Sequence, residues 1–285
     1  MGAMSEVYNQ LLAATIQHLE SLKARGTRFV SVSPEILSAL ARPPAPSRPI
    51  SIAPPPPAPP PAPRLAAVPT APISIGLDPA KIAAFAELRA RALACVKCPN
   101  LAAARKNVVF GVGNIDATLM FVGEAPGADE DEQAEPFVGK AGQLLTKIIQ
   151  TMGLRRETVY IANILKCRPD TPGQSAGNRK PTSDEMATCI PYLHEQIDLI
   201  QPQVLVALGG TAVEGLLGKT LGITKLRGQW QTYRNIPLMP TYHPAYLLRN
   251  QALSEKRRVW EDMLAVMEKL KMPISEKQRN YFLKA

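Results

Sequence analysis

Ala117-Thr-Leu-Met-Phe-Val-Gly123, followed at once by Glu124-Ala-Pro-Gly127, is the stretch on which the fold turns. A short apolar run that ends in glycine reads as a buried strand, and the glycine-bounded polar loop after it reads as a place where backbone can approach a ligand closely. The same pattern recurs downstream. Thr158 to Leu165 predicts a second strand, Gln203 to Leu208 a third and Ile236 to Pro240 a short fourth. Helical stretches at 140–152, 183–200 and 210–217 lie between them, with further helices at 79–94 and 254–271. Alternation of strands and helices predicts an α/β fold, a mainly parallel four-stranded sheet covered on both faces. In such sheets ligands bind beyond the C-terminal ends of the strands. Three loops with unusual residues begin at those ends.

The chain has 285 residues, and a hydrophobic fraction of 46% is ample for a packed core. Aromatic residues make up only 5%, so that core must rest on Leu, Ile, Val and Ala. A net charge of +9 suits a polyanionic partner, because lysines and arginines that neutralise phosphates release counterions. No run approaches the roughly 18 apolar residues of a membrane span. The N-terminus lacks a secretory pattern, and its Met-Gly opening carries Glu6 where myristoylation needs Ser or Thr. The default compartment is the cytoplasm. Residues 1–41 predict a helical N-terminal extension. Residues 42–74 hold fourteen of the 28 prolines and predict a semi-rigid polyproline linker. The main domain is expected over 75–285.

The four cysteines are Cys95, Cys98, Cys167 and Cys189. A CxxC pair with two distant thiols completes one tetrahedral shell, for zinc or for an iron–sulfur cluster; spacing does not separate the two. In the first loop, Glu124 stands where a catalytic carboxylate is expected, and capping a turn is its ordinary structural use. Phe137, within Pro136-Phe-Val-Gly139, suits either the core or a stacking platform. Asn163 interrupts an apolar strand and needs partners for its amide if buried. His243 follows the fourth strand and precedes Pro244, a setting that fixes an imidazole. Leu247 and Leu248 beside Arg249 suit a wedge with a phosphate anchor, or simply the start of the final helix.

Together these residues resemble the family 4 uracil-DNA glycosylases over about residues 79 to 271. The resemblance rests on Gly123-Glu-Ala-Pro-Gly127, Pro136-Phe-Val-Gly139, Asn163, Cys167-Arg-Pro169, His243-Pro-Ala-Tyr-Leu-Leu-Arg249 and all four cysteines. It implies a three-layer α/β/α fold and a [4Fe–4S] cluster held by Cys95, Cys98, Cys167 and Cys189. Cys167 and Cys189 are 21 residues apart in between, and the excess over the family pattern falls around residues 170–177. The substrate implied is uracil-containing DNA, single- or double-stranded, acted on by a monomer with no membrane. Phe137 would stack the flipped base, Asn163 would read its edge, and the backbone of Gly123 to Ala125 would help hold it. His243 would stabilise the leaving anion and Glu124 would act on water. Lys166, Arg168, Arg179, Lys180 and Arg249 would contact phosphates. A relative that crosslinks to uracil-DNA has Gln where this chain has Ala125, and it carries a His-bearing insertion; the 170–180 segment has no histidine. That favours turnover. A non-catalytic iron–sulfur DNA-binding module is the competing class, against which Glu124, Asn163 and His243 argue. The N-terminal extension would either serve a protein partner or be passive.

Overall fold

A computed structural model describes residues 78–169, 179–218 and 222–283. The extension expected at 1–41, the linker at 42–74 and the 170–177 insertion lie outside the described residues. The chain divides into two compact units, Met1–Ala71 and Pro72–Ala285, and all described residues belong to the second.

Among the described residues one sheet has six strands: β1 (Val112–Gly113), β2 (Leu119–Gly123), β3 (Tyr160–Asn163), β4 (Val204–Leu208), β5 (Gln231–Tyr233) and β6 (Ile236–Thr241). Their spatial order is β1-β3-β2-β4-β6-β5. The four inner strands are parallel, as the sequence predicts. The sheet is wider than four strands because β1 and β5 add short antiparallel edges. With two and three residues, these edges are too short to display alternation. The β5–β6 hairpin turns through Arg234 and Asn235, both at positive φ, as a primed two-residue turn requires.

The helices are α1 (Pro79–Leu93), α2 (Pro99–Ala104), α3 (Ala128–Gln133), α4 (Lys140–Thr151), α5 (Ser183–Ile200), α6 (Gly210–Leu217), α7 (Ile223–Leu226), α8 (Pro244–Arg249), α9 (Leu253–Lys269) and α10 (Glu276–Arg279). Thr182 and Glu185 form a reciprocal cap that starts α5 at the predicted residue. Strand alternation sorts the core into two layers. Leu119 and Phe121 pack with Leu145 and Ile149 of α4 and with Trp260 and Met263 of α9. Met120 and Val122 face the other way, onto Leu193 and Ile197 of α5 and Val213 of α6. The result is three layers, α/β/α, with every parallel strand buried on both faces. A third cluster joins Leu88 and Ala92 of α1 to Leu101, Phe110 and Leu165 at one end of the sheet.

Candidate active site

Strand register places the polar residues. Gly123 and Asn163 are neighbours at the C-terminal ends of β2 and β3. Leu208 and Thr241 pair at the ends of β4 and β6, and His243 follows two residues later as the N-cap of α8. Around these ends lies a cavity of about 190 Å³ walled by Ala125, Phe137, Asn163 and His243, together with Gly127 and Glu130. Five residues singled out from the sequence therefore meet here, since Gly123 lies directly beneath Phe137 and Asn163. A Cβ at position 123 would fall 2.4 Å from Asn163 Oδ1 and 2.5 Å from Phe137 Cζ. Only glycine lets the ring and the amide come together.

Asn163 is 2% exposed, and its Oδ1 is the one buried side-chain oxygen or nitrogen without a hydrogen-bond partner among the described residues. An unpaired buried acceptor is destabilising by about 1–3 kcal/mol unless a ligand satisfies it. Phe137 is backbone-strained as well as buried. Its φ is 55°, the left-handed region, which costs about 1–3 kcal/mol for a bulky residue and persists only where neighbours enforce it. Its ring lies 5.6 Å from the imidazole of His243, centroid to centroid.

His243 Nδ1 accepts the Ala245 N–H at 3.2 Å. That bond assigns the proton of the neutral ring to Nε2. Burial, aided by the charge of Arg249, pushes the imidazole down to about 4. The group is thus a neutral donor near pH 7. Glu124 is half-buried and is not part of the cavity wall. Its backbone oxygen accepts the Leu165 N–H at 3.0 Å, while its carboxylate has no hydrogen bond or ion pair among the described residues.

Two side chains expected to face DNA do not. Lys166 is 2% exposed; its Nζ donates to Asn163 O at 3.0 Å and to Gln196 Oε1 at 2.6 Å. Burial lowers its pKa to about 8. The turn after β3 sends this lysine inward, where it supports the strand end that carries Asn163. Leu247 is also buried, packed on Tyr242 and Val259, because it lies on the inner face of the short α8. Leu248 and Arg249, on the outer face, are exposed. Arg168 is half-buried and engaged within the protein. Arg179 and Lys180 are ion-paired with Glu185 and Glu214. An apolar groove of about 220 Å³ beside Leu247, Leu248 and Trp260 offers no carboxylate, imidazole or asparagine, and is not the place for the reaction.

Glu130 is the wall residue that the sequence reading missed. One carboxylate oxygen accepts the N–H groups of Val138 and Gly139, each at 3.0 Å, and the other accepts that of Gly127 at 3.0 Å. It ties the two glycine loops into one wall. A carboxylate three residues after Gly127 is the spacing of a helix cap, and that was the available signal.

All four cysteines line a second, smaller pocket with Leu101, Arg105 and Leu165. Cys95 and Cys98 follow α1, Cys167 lies beyond β3, and Cys189 sits in the first half of α5. Arg105 Nη1 donates to Cys167 Sγ at 3.0 Å, and the Lys166 N–H donates to Cys189 Sγ at 3.3 Å. Burial pushes the thiols of Cys98 and Cys167 up, and that of Cys189 to about 11. The described residues contain no group of three or more His, Cys, Asp or Glu side chains that would hold one metal ion. Four sulfurs converging on one pocket, with N–H donors aimed at two of them, nevertheless form a donor set that suits a polynuclear cluster.

Residues 110–264 match the Uracil DNA glycosylase superfamily. The chain is similar to the Type-4 uracil-DNA glycosylase of Thermotoga maritima, 47% identical over 173 residues that cover 59% of this chain and 85% of that protein. It is similar to the Type-4 uracil-DNA glycosylase of Sulfurisphaera tokodaii, 38% identical over 206 residues, 69% of this chain and 89% of the relative. Similarity to the Saccharolobus solfataricus Type-4 enzyme is 42% over 185 residues, 62% and 82% of the two chains. With its strand-end pocket and the matching sequence in the same segment, the chain belongs to the uracil DNA glycosylase superfamily, among the type-4 uracil-DNA glycosylases.

Proposed function

We propose that this protein hydrolyses the N-glycosidic bond of deoxyuridine in DNA, releasing uracil and leaving an abasic site. The observation that carries the reading is the buried, unpartnered Asn163 Oδ1 at the wall of a base-sized cavity. Uracil offers N3–H to that oxygen and O4 to the amide nitrogen. Cytosine offers an acceptor and a donor in the reverse order and leaves both groups unpaired, a mismatch that discriminates by roughly 10⁴-fold or more.

The base must leave the stack to reach the pocket, at a cost of about a few kcal/mol. Phe137 then carries its face. As the bond from C1′ to N1 breaks, its electron pair passes to the base, and charge gathers on O2. His243 Nε2–H is the donor for that charge, already oriented through Nδ1. Water adds to C1′ and gives up a proton, which Glu124 accepts; the same carboxylate stabilises positive charge on the sugar. Leu248 and Arg249 meet the DNA strand beside the flipped nucleotide.

Cys95, Cys98, Cys167 and Cys189 would hold a [4Fe–4S] cluster, which supplies a structural tie between α1, the loop after β3 and α5. We take residues 75–285 as the catalytic domain, a monomer in the cytoplasm, joined through 42–74 to an extension that either serves a protein partner or is passive. No helix among the described residues is long and apolar enough to cross a membrane.

The test is anaerobically prepared protein incubated with a uracil-containing oligonucleotide, with iron and sulfide assayed in parallel. Free uracil and alkali-labile sites are expected. Intact DNA, or a denaturation-resistant protein–DNA adduct, would refute turnover.

A further inference from the structure

We propose that Arg156 is a positioning residue for the uracil site, which it does not line: it sets the stacking ring of Phe137 through the backbone. The inference rests on the glycosylase reading above.

Phe137 holds an aromatic side chain at a φ of 55°, where bulky residues are rarely found. Three neighbours enforce it. Gly142 leaves no space behind the peptide, since a Cβ there would stand 1.9 Å from both C and O of Phe137. Gly123 leaves room for the ring's far edge. Those two contacts only state where Phe137 is allowed to be. Arg156 is different, because it acts by direction. Its Nη2 donates to Pro136 O at 2.8 Å and its Nη1 to Phe137 O at 3.0 Å. Those carbonyls belong to the two peptide planes that flank the Phe137 Cα. Holding both planes fixes φ and ψ of that one residue, and so the path along which the ring leaves the backbone.

The guanidinium is itself braced. Nη2 pairs with Glu135 at 3.0 Å, Nη1 reaches Thr146 Oγ1 at 3.4 Å, and the side chain is 16% exposed. A planar fork with several fixed donors can serve two carbonyls and a carboxylate together, which a lysine ammonium cannot do in the same geometry. Arg156 also stands in the single turn of 3₁₀ helix that leads into β3, and β3 ends on Asn163. One short run of chain thus registers the platform at its start and the base-reading amide at its end.

The test compares Arg156→Met and Arg156→Lys in the full-length protein and in a Phe137→Ala background. In the parent, Arg156→Met is expected to lower the single-turnover rate of uracil release by about 10–100-fold, the scale of an ångström-level misplacement. Inhibition by free uracil should weaken in parallel, while affinity for undamaged DNA and iron content stay unchanged. Arg156→Lys should recover only part of the rate. With the ring already removed, Arg156→Met should cost less than about threefold more, because coupled residues are not additive. Equal losses in both backgrounds would overturn the inference, as would an active parent whose Arg156→Met variant keeps its rate and its sensitivity to uracil. If that variant does not fold, Glu135→Gln loosens the same fork, and unchanged uracil inhibition there would overturn the inference too. A parent protein that releases no uracil would instead overturn the functional reading and take this inference with it.

Discussion

Asn163 stood out in the sequence as a polar side chain in an apolar strand, and His243 as an imidazole between a strand end and Pro244. The role proposed for the first rests on an acceptor left without a partner and that for the second on one hydrogen bond at Nδ1, and their tests follow from these. Asn163→Asp replaces a donor–acceptor pair with acceptors only. It should reduce selectivity for uracil over cytosine by on the order of 10²-fold or more. Parallel single-turnover rates on the two oligonucleotides measure this, and unchanged selectivity would end the edge-reading role. His243 has a pH signature of its own. The free imidazole takes up a proton near 6.5, the folded one near 4. Because the folded value is the lower, the neutral ring's contribution to stability is complete above about 6.5 and is lost as pH falls through 4. Unfolding midpoints followed from pH 7 down to 4 should therefore drop more steeply for the parent than for His243→Gln. The rate should show no His243 inflection between pH 6 and 8; an inflection near 6.5 would mean a charged catalytic imidazole. Leu247 was misread at this scale because it falls on the inner face of the short α8, and Lys166 because of the turn that leaves β3. Which way a side chain points after a strand end is decided by a turn whose geometry no spacing rule encodes.

At the scale of elements, the parallel strands and the long helices were legible because apolar spacing repeats over enough residues. The β2 and α5 predictions needed only a run and a cap. The edge strands β1 and β5 were not legible: Gly113 and the Arg234–Asn235 turn are fixed by close approach and by positive φ, neither of which is a compositional signal. The junction of the second glycine loop, Pro136-Phe-Val-Gly139, with α4 is the element most exposed to a small change. Gly142→Ala puts a methyl into the backbone of Phe137, which cannot yield without moving the ring. A loss of about 1–3 kcal/mol in unfolding free energy is expected. Uracil release should fall further than stability alone explains. Denaturant titration beside a rate measurement separates the two, and a variant with normal stability and rate would show that the wall is looser than the structure implies.

For the whole molecule, the four-cysteine pocket gathers regions far apart in sequence: the end of α1, the loop leaving β3 and the body of α5. The cysteine spacing revealed the set but not its supporting groups. Arg105 was invisible because its relation to Cys167 is purely spatial. Cys98→Ser should lower iron per chain and weaken the visible sulfur-to-iron absorption. It should also bring the melting temperature down, since a cluster held there would close long loops that the variant leaves open. Iron analysis and thermal melts on the same preparation test this; an unchanged melt with iron gone would make the pocket dispensable for the fold.

Three residues separate Asn163 from Cys167, and Lys166, within that interval, donates both to the carbonyl of the first and, through its main chain, to Cys189. The amide proposed to tell one pyrimidine from another is thus mounted on the same few ångströms of chain that would grip iron. With a cluster in place, a cell that runs short of the metal would lose more than a stabilising tie. Deaminated cytosines would persist to the next round of copying, and a passing nutritional deficit would become permanent transitions in the genome.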